Sequence, residues 1–171
     1  MESVLIQAER LYPTKNDLPA SIRRQLITLL NQHLADAVDL QTQAKTAHWN
    51  VKGPEFISLH KLFDEVHASV AEYVDLIAER AVQLGGVAEG TARIVARRSD
   101  LEEYPGGIAA GSRHVEALSA ALAAFGSGIR RAIAEADGLG DAGTADLFTE
   151  ISRGIDKWLW FVEAHVQAEM E

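Results

Sequence analysis

The chain has 171 residues, enough for one domain with a sizeable core and too few for two comfortable ones. With Lys+Arg 16 against Asp+Glu 25, its formal charge of -9 gives no overall electrostatic footprint for nucleic acid or an anionic membrane, and cationic ligands suit it better. It contains no cysteine, which excludes disulfides and thiolate metal sites and leaves His, Asp and Glu as possible ligands for hard or borderline metals.

Residues 1–18 read as a short N-terminal tail, carrying Glu2, Glu9, Lys15 and Asp17 but neither a basic start nor an apolar stretch of the secretory kind. Nowhere is there an apolar run of about 18 residues that would cross a membrane, so a cytoplasmic, soluble protein is expected. The rest, residues 19–168, is expected to form one domain.

From about Pro19 to Ala47, Ile22, Leu26, Leu29, Leu30, Leu34, Ala37 and Val38 recur at helical spacing, with Ser21 or Asp17 as the expected cap. "NVKGP" breaks this helix. Pro54 fits the first position of a second one, which runs through Leu59, Leu62, Phe63, Val66, Val70, Val74, Ile77 and Ala81 to Gly85-Gly86.

Residues 87–106 read as a connection holding one minor helix around "TARIVARR", long enough to cross a bundle. An Ala-rich helix is expected from about Gly107 to Ala136, through Val115, Leu118, Leu122, Phe125, Ile129 and Ile133. "DGLGDAGT" is a turn, and the last helix carries Leu147, Ile151, Ile155, Trp158, Leu159, Val162 and Val166. No segment reads as a strand. The expected fold is all-α, a four-helix bundle with a long crossover containing a short extra helix, which is the ferritin-like topology.

The second helix carries a spacing that demands explanation. His60 and Asp64 are four apart, as are Asp75 and Glu79, and the 11-residue step from Asp64 to Asp75 is close to three turns, so all four point roughly the same way. That separation is about 16 Å along the axis, too far for one metal site with bonds of about 2 Å. Two copies packed antiparallel about a two-fold axis near residues 69 and 70 would bring His60 and Asp64 of one chain level with Glu79 and Asp75 of the other. His48, just before the Gly-Pro break, would complete each of two identical sites. Two imidazoles and three carboxylates suit Fe(II) and admit Zn(II) or Mn(II). The competing reading is that charged residues four apart on a long helix are simply a solvated face.

Three segments, "AHWNVKGPEFISLHKLFDEV", "AERAVQLGGVAEGT" and "TADLFTEISRGIDKWLWFVEAHVQ", resemble Dps proteins, the DNA-binding proteins from starved cells, over roughly residues 20–167. The resemblance implies a dodecameric shell built from two-fold dimers. It also implies a ferroxidase site at the two-fold interface, with His48, His60 and Asp64 from one chain and Asp75 and Glu79 from its neighbour as metal ligands and catalytic residues. Ferritins proper place an E-x-x-H pair within each bundle, and this chain has none.

By the same resemblance Trp49 lies beside the iron, where it would intercept an oxidising equivalent or simply wall the pocket. Asp141, Asp146 and Glu150 resemble an acidic iron-entry pore, although acids at a helix start also favour its dipole. His67, whose two-fold mate would lie about 8 Å away, reads as an interface histidine. His33, His114 and His165 read as structural, and Trp158, Trp160 and Phe161 as core and subunit contacts.

The expected activity is oxidation of Fe(II), with hydrogen peroxide in preference to dioxygen, and storage of Fe(III) inside the shell as protection from oxidative damage. Two alternatives stand beside it: a DNA-compacting protein, nucleoid-associated, and a structural cage holding Zn without turnover. DNA binding is expected to be weak, because the N-terminal segment carries three acids and one lysine before Arg23 and the chain ends "VQAEME".

Overall fold

The computed structural model describes residues 10–168, and within them the fold follows directly from the apolar periodicity. Helix α1 spans Ala20–Asn50, α2 Phe56–Gln83, α3 Ala92–Arg98, α4 Gly111–Gly138 and α5 Ala142–Gln167. Among the described residues there is no strand, and the only extended pairing is an isolated bridge between Lys52 and Ala110. The four long helices form two antiparallel hairpins, α1 with α2 and α4 with α5, and the crossover between them carries α3 against α1.

The apolar faces meet in one core. Leu26, Leu30, Leu34 and Leu40 of α1 face inward with Leu59, Phe63, Val66, Val70 and Ile77 of α2, and Leu118, Leu122, Phe125, Phe148, Ile151 and Ile155 close it from the second hairpin. Phe63 is fully buried, and truncation to Ala there would cost about 3 to 5 kcal/mol.

The helix ends differ from the sequence expectation in instructive ways. Neither Ser21 nor Asp17 caps α1: the cap position is Pro19, whose carbonyl accepts the Arg23 N–H, while Asn16 folds its side chain onto the Leu18 N–H just before it. The helix also runs on to Asn50, because the Val51 N–H still reaches the Ala47 carbonyl. Pro54 lies in the turn before α2 rather than at its first position, since Gly53 (φ 116°) must first reverse the chain.

Helix α4 begins at Gly111, later than expected, because the preceding residues are held extended by the Lys52 N–H donating to the Ala109 carbonyl. Residues 10–18, within the expected short tail, pack on the bundle. The Tyr12 N–H donates to the Gly85 carbonyl at 2.7 Å, and Leu11 and Leu18 lie on the core. A side chain at Gly85 (φ 90°) would meet the Tyr12 carbonyl at 2.6 Å, so the glycine allows this strap. Residues 1–9 of the expected tail lie outside the described residues.

Candidate metal centre

The turn at residues 51–55 sets α1 and α2 side by side in a register that pairs their histidines. His48, on the last turn of α1, stacks on His60, on the first turns of α2, with ring centroids 3.7 Å apart and planes 22° from parallel. The contact is reciprocal. His48 Nδ1 lies 2.6 Å from the His60 carbonyl, and His60 Nδ1 lies 2.8 Å from the His48 carbonyl. A carbonyl only accepts, so both Nδ1 atoms are donors, and in the neutral ring each Nε2 is left with a bare lone pair. This is the tautomer that a metal-binding imidazole needs, fixed by backbone oxygens.

One turn further along α2, Asp64 lies 3.9 Å from His48 Nδ1 and takes the Lys45 ammonium of α1 on its Oδ1. The Lys45 hydrogen bond holds the Asp64 carboxyl below its ordinary range against a smaller opposing effect of burial, and the charges of Lys45, His48 and His67 add to the lowering. The carboxylate remains half exposed. His67 follows the pattern of the other two rings: its Nδ1 donates to the Gln41 carbonyl at 3.0 Å.

Asp75 and Glu79 are both exposed on the same helix, beyond reach of this group. The structure of one chain thus gathers His48, His60 and Asp64 and leaves Asp75 and Glu79 apart. Among the described residues no three His, Asp or Glu side chains of one chain form a group able to hold a metal. Trp49 is 67% exposed beside the paired rings, and Ile57 and Val82 are also exposed on the ligand-bearing helix. Ile57 with Val82, His60 with Glu79 and Asp64 with Asp75 are all centred on one point of α2, between Ser69 and Val70.

The acidic start of α5 divides. Asp141 was expected to line a pore with Asp146 and Glu150, but it is 6% exposed and acts as the N-cap of α5, accepting from the Gly143 N–H at 3.1 Å and from the Thr144 hydroxyl. Both its oxygens also receive Arg80 Nη2 of α2, at 3.0 and 2.9 Å. A cap must turn its carboxylate back onto its own helix, so Asp141 is not available to a pore. Asp146 and Glu150 are exposed.

Of the remaining histidines, His33 lies edge-on to Phe148 with Nδ1 3.4 Å from Asp36, and His165 Nδ1 donates to the Phe161 carbonyl at 2.9 Å. Trp158 is buried against Phe161, whereas Trp160 is exposed. Sequence reasoning missed two features. Lys45 becomes visible as the partner of Asp64 only once the hairpin register is known, and Tyr104, in the crossover, meets His114 at 2.7 Å with no periodicity to announce it.

The four long helices and their crossover together define a ferritin-like bundle. The family model for the ferritin-like domain matches residues 27–170. The DNA protection during starvation protein of Agrobacterium fabrum is 44% identical over 158 residues, covering 92% of this chain and 98% of that protein. Among solved structures, DpsA14 from Streptomyces coelicolor superposes with a TM-score of 0.86 at 33% identity, covering 92% of this chain and 94% of its own. DpsC from the same organism gives a TM-score of 0.87 at 31% identity, covering 91% of each. The chain belongs to the Dps family of ferritin-like proteins.

Proposed function

We propose that this chain is a ferroxidase of the iron-storing kind, taking Fe(II) as its substrate at sites shared by two subunits and keeping the Fe(III) product inside a dodecameric shell. The observation that carries the reading is the reciprocal pairing of His48 and His60, which presents two Nε2 lone pairs beside Asp64 before any metal arrives. The common centre of the Ile57/Val82, His60/Glu79 and Asp64/Asp75 pairs supports an antiparallel α2 dimer. Such a dimer would set Ile57 against Val82 of the other copy and bring Asp75 and Glu79 to complete each site.

In this reading the carboxylates of Asp64, Asp75 and Glu79 offset the added charge of Fe(III), and the two imidazoles hold geometry. Two Fe(II) ions give one electron each to hydrogen peroxide, which takes up two protons and leaves as two waters, so no hydroxyl radical is released. Peroxide is used in preference to dioxygen. Asp146 and Glu150 draw Fe(II) toward the interior, and Zn(II) competes for the same donors. The protein works in the cytoplasm.

The name of the Agrobacterium fabrum relative, DNA protection during starvation protein, favours a second reading in which the shell also binds DNA; the charge of -9 per chain argues that direct binding is weak. Retardation of plasmid in a low-salt mobility-shift assay would overturn that expectation. The ferroxidase reading is tested by anaerobic addition of Fe(II) and then peroxide, following ferric absorbance in the native chain and in Asp75→Ala. Fast oxidation in the native chain alone supports it, and equal behaviour of the two sinks it. A zinc-holding cage without turnover would instead retain Zn(II) tightly and oxidise no iron in either.

A further inference from the structure

Tyr104 and His114 form a side-chain pair for which the ferroxidase reading has no use. The crossover brings the Tyr104 phenol to 2.7 Å from His114 Nδ1, at the start of α4. His114 is 1% exposed, and its Nε2 makes no hydrogen bond within ordinary geometry, although the Ile108 and Asn50 carbonyls face the ring. Burial, foremost, pushes the imidazole toward its neutral form and Lys52 adds to that, while the two carbonyls favour the cation. Burial also holds the phenol well above its ordinary range. The proton therefore rests on oxygen, and Nδ1 accepts it as a hydrogen bond.

The pair lies at the histidine end of the bundle. Tyr104, His114, Asn50 and Lys52 line one cavity of about 340 Å³, and Asn50 is two residues beyond His48. The Phe63 ring, whose neighbour in sequence is Asp64, has its centroid 6.4 Å from that of His114. We propose that Tyr104 and His114 act as a proton-coupled electron donor, which gives one electron to a strong one-electron oxidant arising near the metal centre while the phenol proton passes to His114.

The step balances. Where a site holds one Fe(II) instead of two, peroxide receives a single electron and splits into hydroxide and a hydroxyl radical. That radical gains one electron from the phenol and leaves as hydroxide, the phenol becomes a neutral phenoxyl radical as its O–H bond breaks, and a new N–H bond forms at Nδ1. The resulting imidazolium presents its Nε2–H toward the Ile108 and Asn50 carbonyls. One electron from a further Fe(II), the substrate of the proposed reaction, restores the phenol as the proton returns. This cycle rests on the ferroxidase reading for its oxidant and its reductant, but the pair's own chemistry does not.

The test therefore uses iron-free protein. The chain has three tyrosines, so Tyr12→Phe with Tyr73→Phe leaves Tyr104 alone. Flash-generated tris(bipyridyl)ruthenium(III) is the oxidant, and the neutral phenoxyl radical is read by its narrow visible band and its paramagnetic hyperfine pattern. The expected result is a phenoxyl signal that vanishes when Tyr104→Phe is added and that forms several-fold more slowly in His114→Gln and in heavy water. Absence of the signal when Tyr104 is the only tyrosine, or formation at an unchanged rate in both His114→Gln and heavy water, overturns the proposal. If His114→Gln does not fold, the heavy-water comparison alone decides. Iron oxidation is measured separately, so a failed ferroxidase assay and a failed photo-oxidation are distinguishable results.

Discussion

Asp64 and Asp141 each receive a cation from another residue of the bundle, yet they are held in opposite ways. Asp141 is buried and fully engaged: cap, hydroxyl and guanidinium take up its lone pairs, and it knits α2 to the start of α5. Asp64 is half exposed, holds one ammonium, and lies beside two imidazoles whose Nδ1 atoms are committed to backbone carbonyls, which leaves the Nε2 lone pairs bare in the neutral rings. Carboxylates of the first kind serve folding. Those of the second kind retain coordination capacity, and burial together with partner count tells the two apart where sequence spacing alone does not.

The contrast is most sharply tested by complementation. If the proposed shared site is right, His60→Ala and Glu79→Ala proteins should each lose iron oxidation by about a hundredfold or more while melting close to the native temperature. Unfolding the two together and refolding the mixture should restore activity, because a mixed dimer keeps one intact site. With random pairing about a quarter of the native rate is expected. No recovery would mean that the two residues do not serve one shared site.

At the other end of the contrast, Asp141→Ala removes a cap and leaves the Arg80 guanidinium without its carboxylate partner. The expected loss is about 3 kcal/mol of stability, read from thermal or urea midpoints, with the initial rate of iron oxidation in the folded fraction unchanged.

The same residue predicts a pH dependence. Burial by itself would raise the Asp141 pKa, but the Thr144 hydroxyl and the Arg80 guanidinium outweigh it and the net shift is downward. A lowered folded-state pKa contributes stability that is complete above the unfolded carboxyl value of about 3.9 and is lost as pH falls through the lower folded value. The stability gap between native protein and Asp141→Asn should therefore be constant at neutral pH and narrow only in that acid window. A gap that closes near neutral pH would assign the dependence to other groups.

The smallest effect is expected at Lys45→Met. Its ion pair with the half-exposed Asp64 contributes less than about 1 kcal/mol to stability, so the melting temperature should barely move. Removing the ammonium should tighten initial Fe(II) binding by about threefold in anaerobic titration. Weaker binding would mean that Lys45 positions Asp64 for the metal instead of competing with it.

What the sequence made legible follows from physical range. The long helices announce themselves because apolar residues recur at 3.6-residue spacing, and the α2 quartet shows itself because helical rise turns residue number into distance. Their ends are less legible, since they depend on one or two local hydrogen bonds such as Asn16 to Leu18 or Lys52 to Ala109. Asp141 shows the limit well: an acid three residues before Thr144 at a helix start carries a capping signal, but composition alone also suits an acidic pore. Lys45 with Asp64 and Tyr104 with His114 depend on hairpin register and crossover path, which no short-range pattern encodes.

The reciprocal bonds between His48 and His60 have a further consequence, for the entropy of the reaction. A site whose ligands wander must order them each time an ion arrives, and every imidazole frozen on arrival weakens binding. Here the backbone has already ordered two of them, and the His60 ring occupies a carbonyl at the α1 terminus that would otherwise need water. In the proposed reaction, loading and unloading of Fe(II) would then repeat many times over with the imidazole framework at rest.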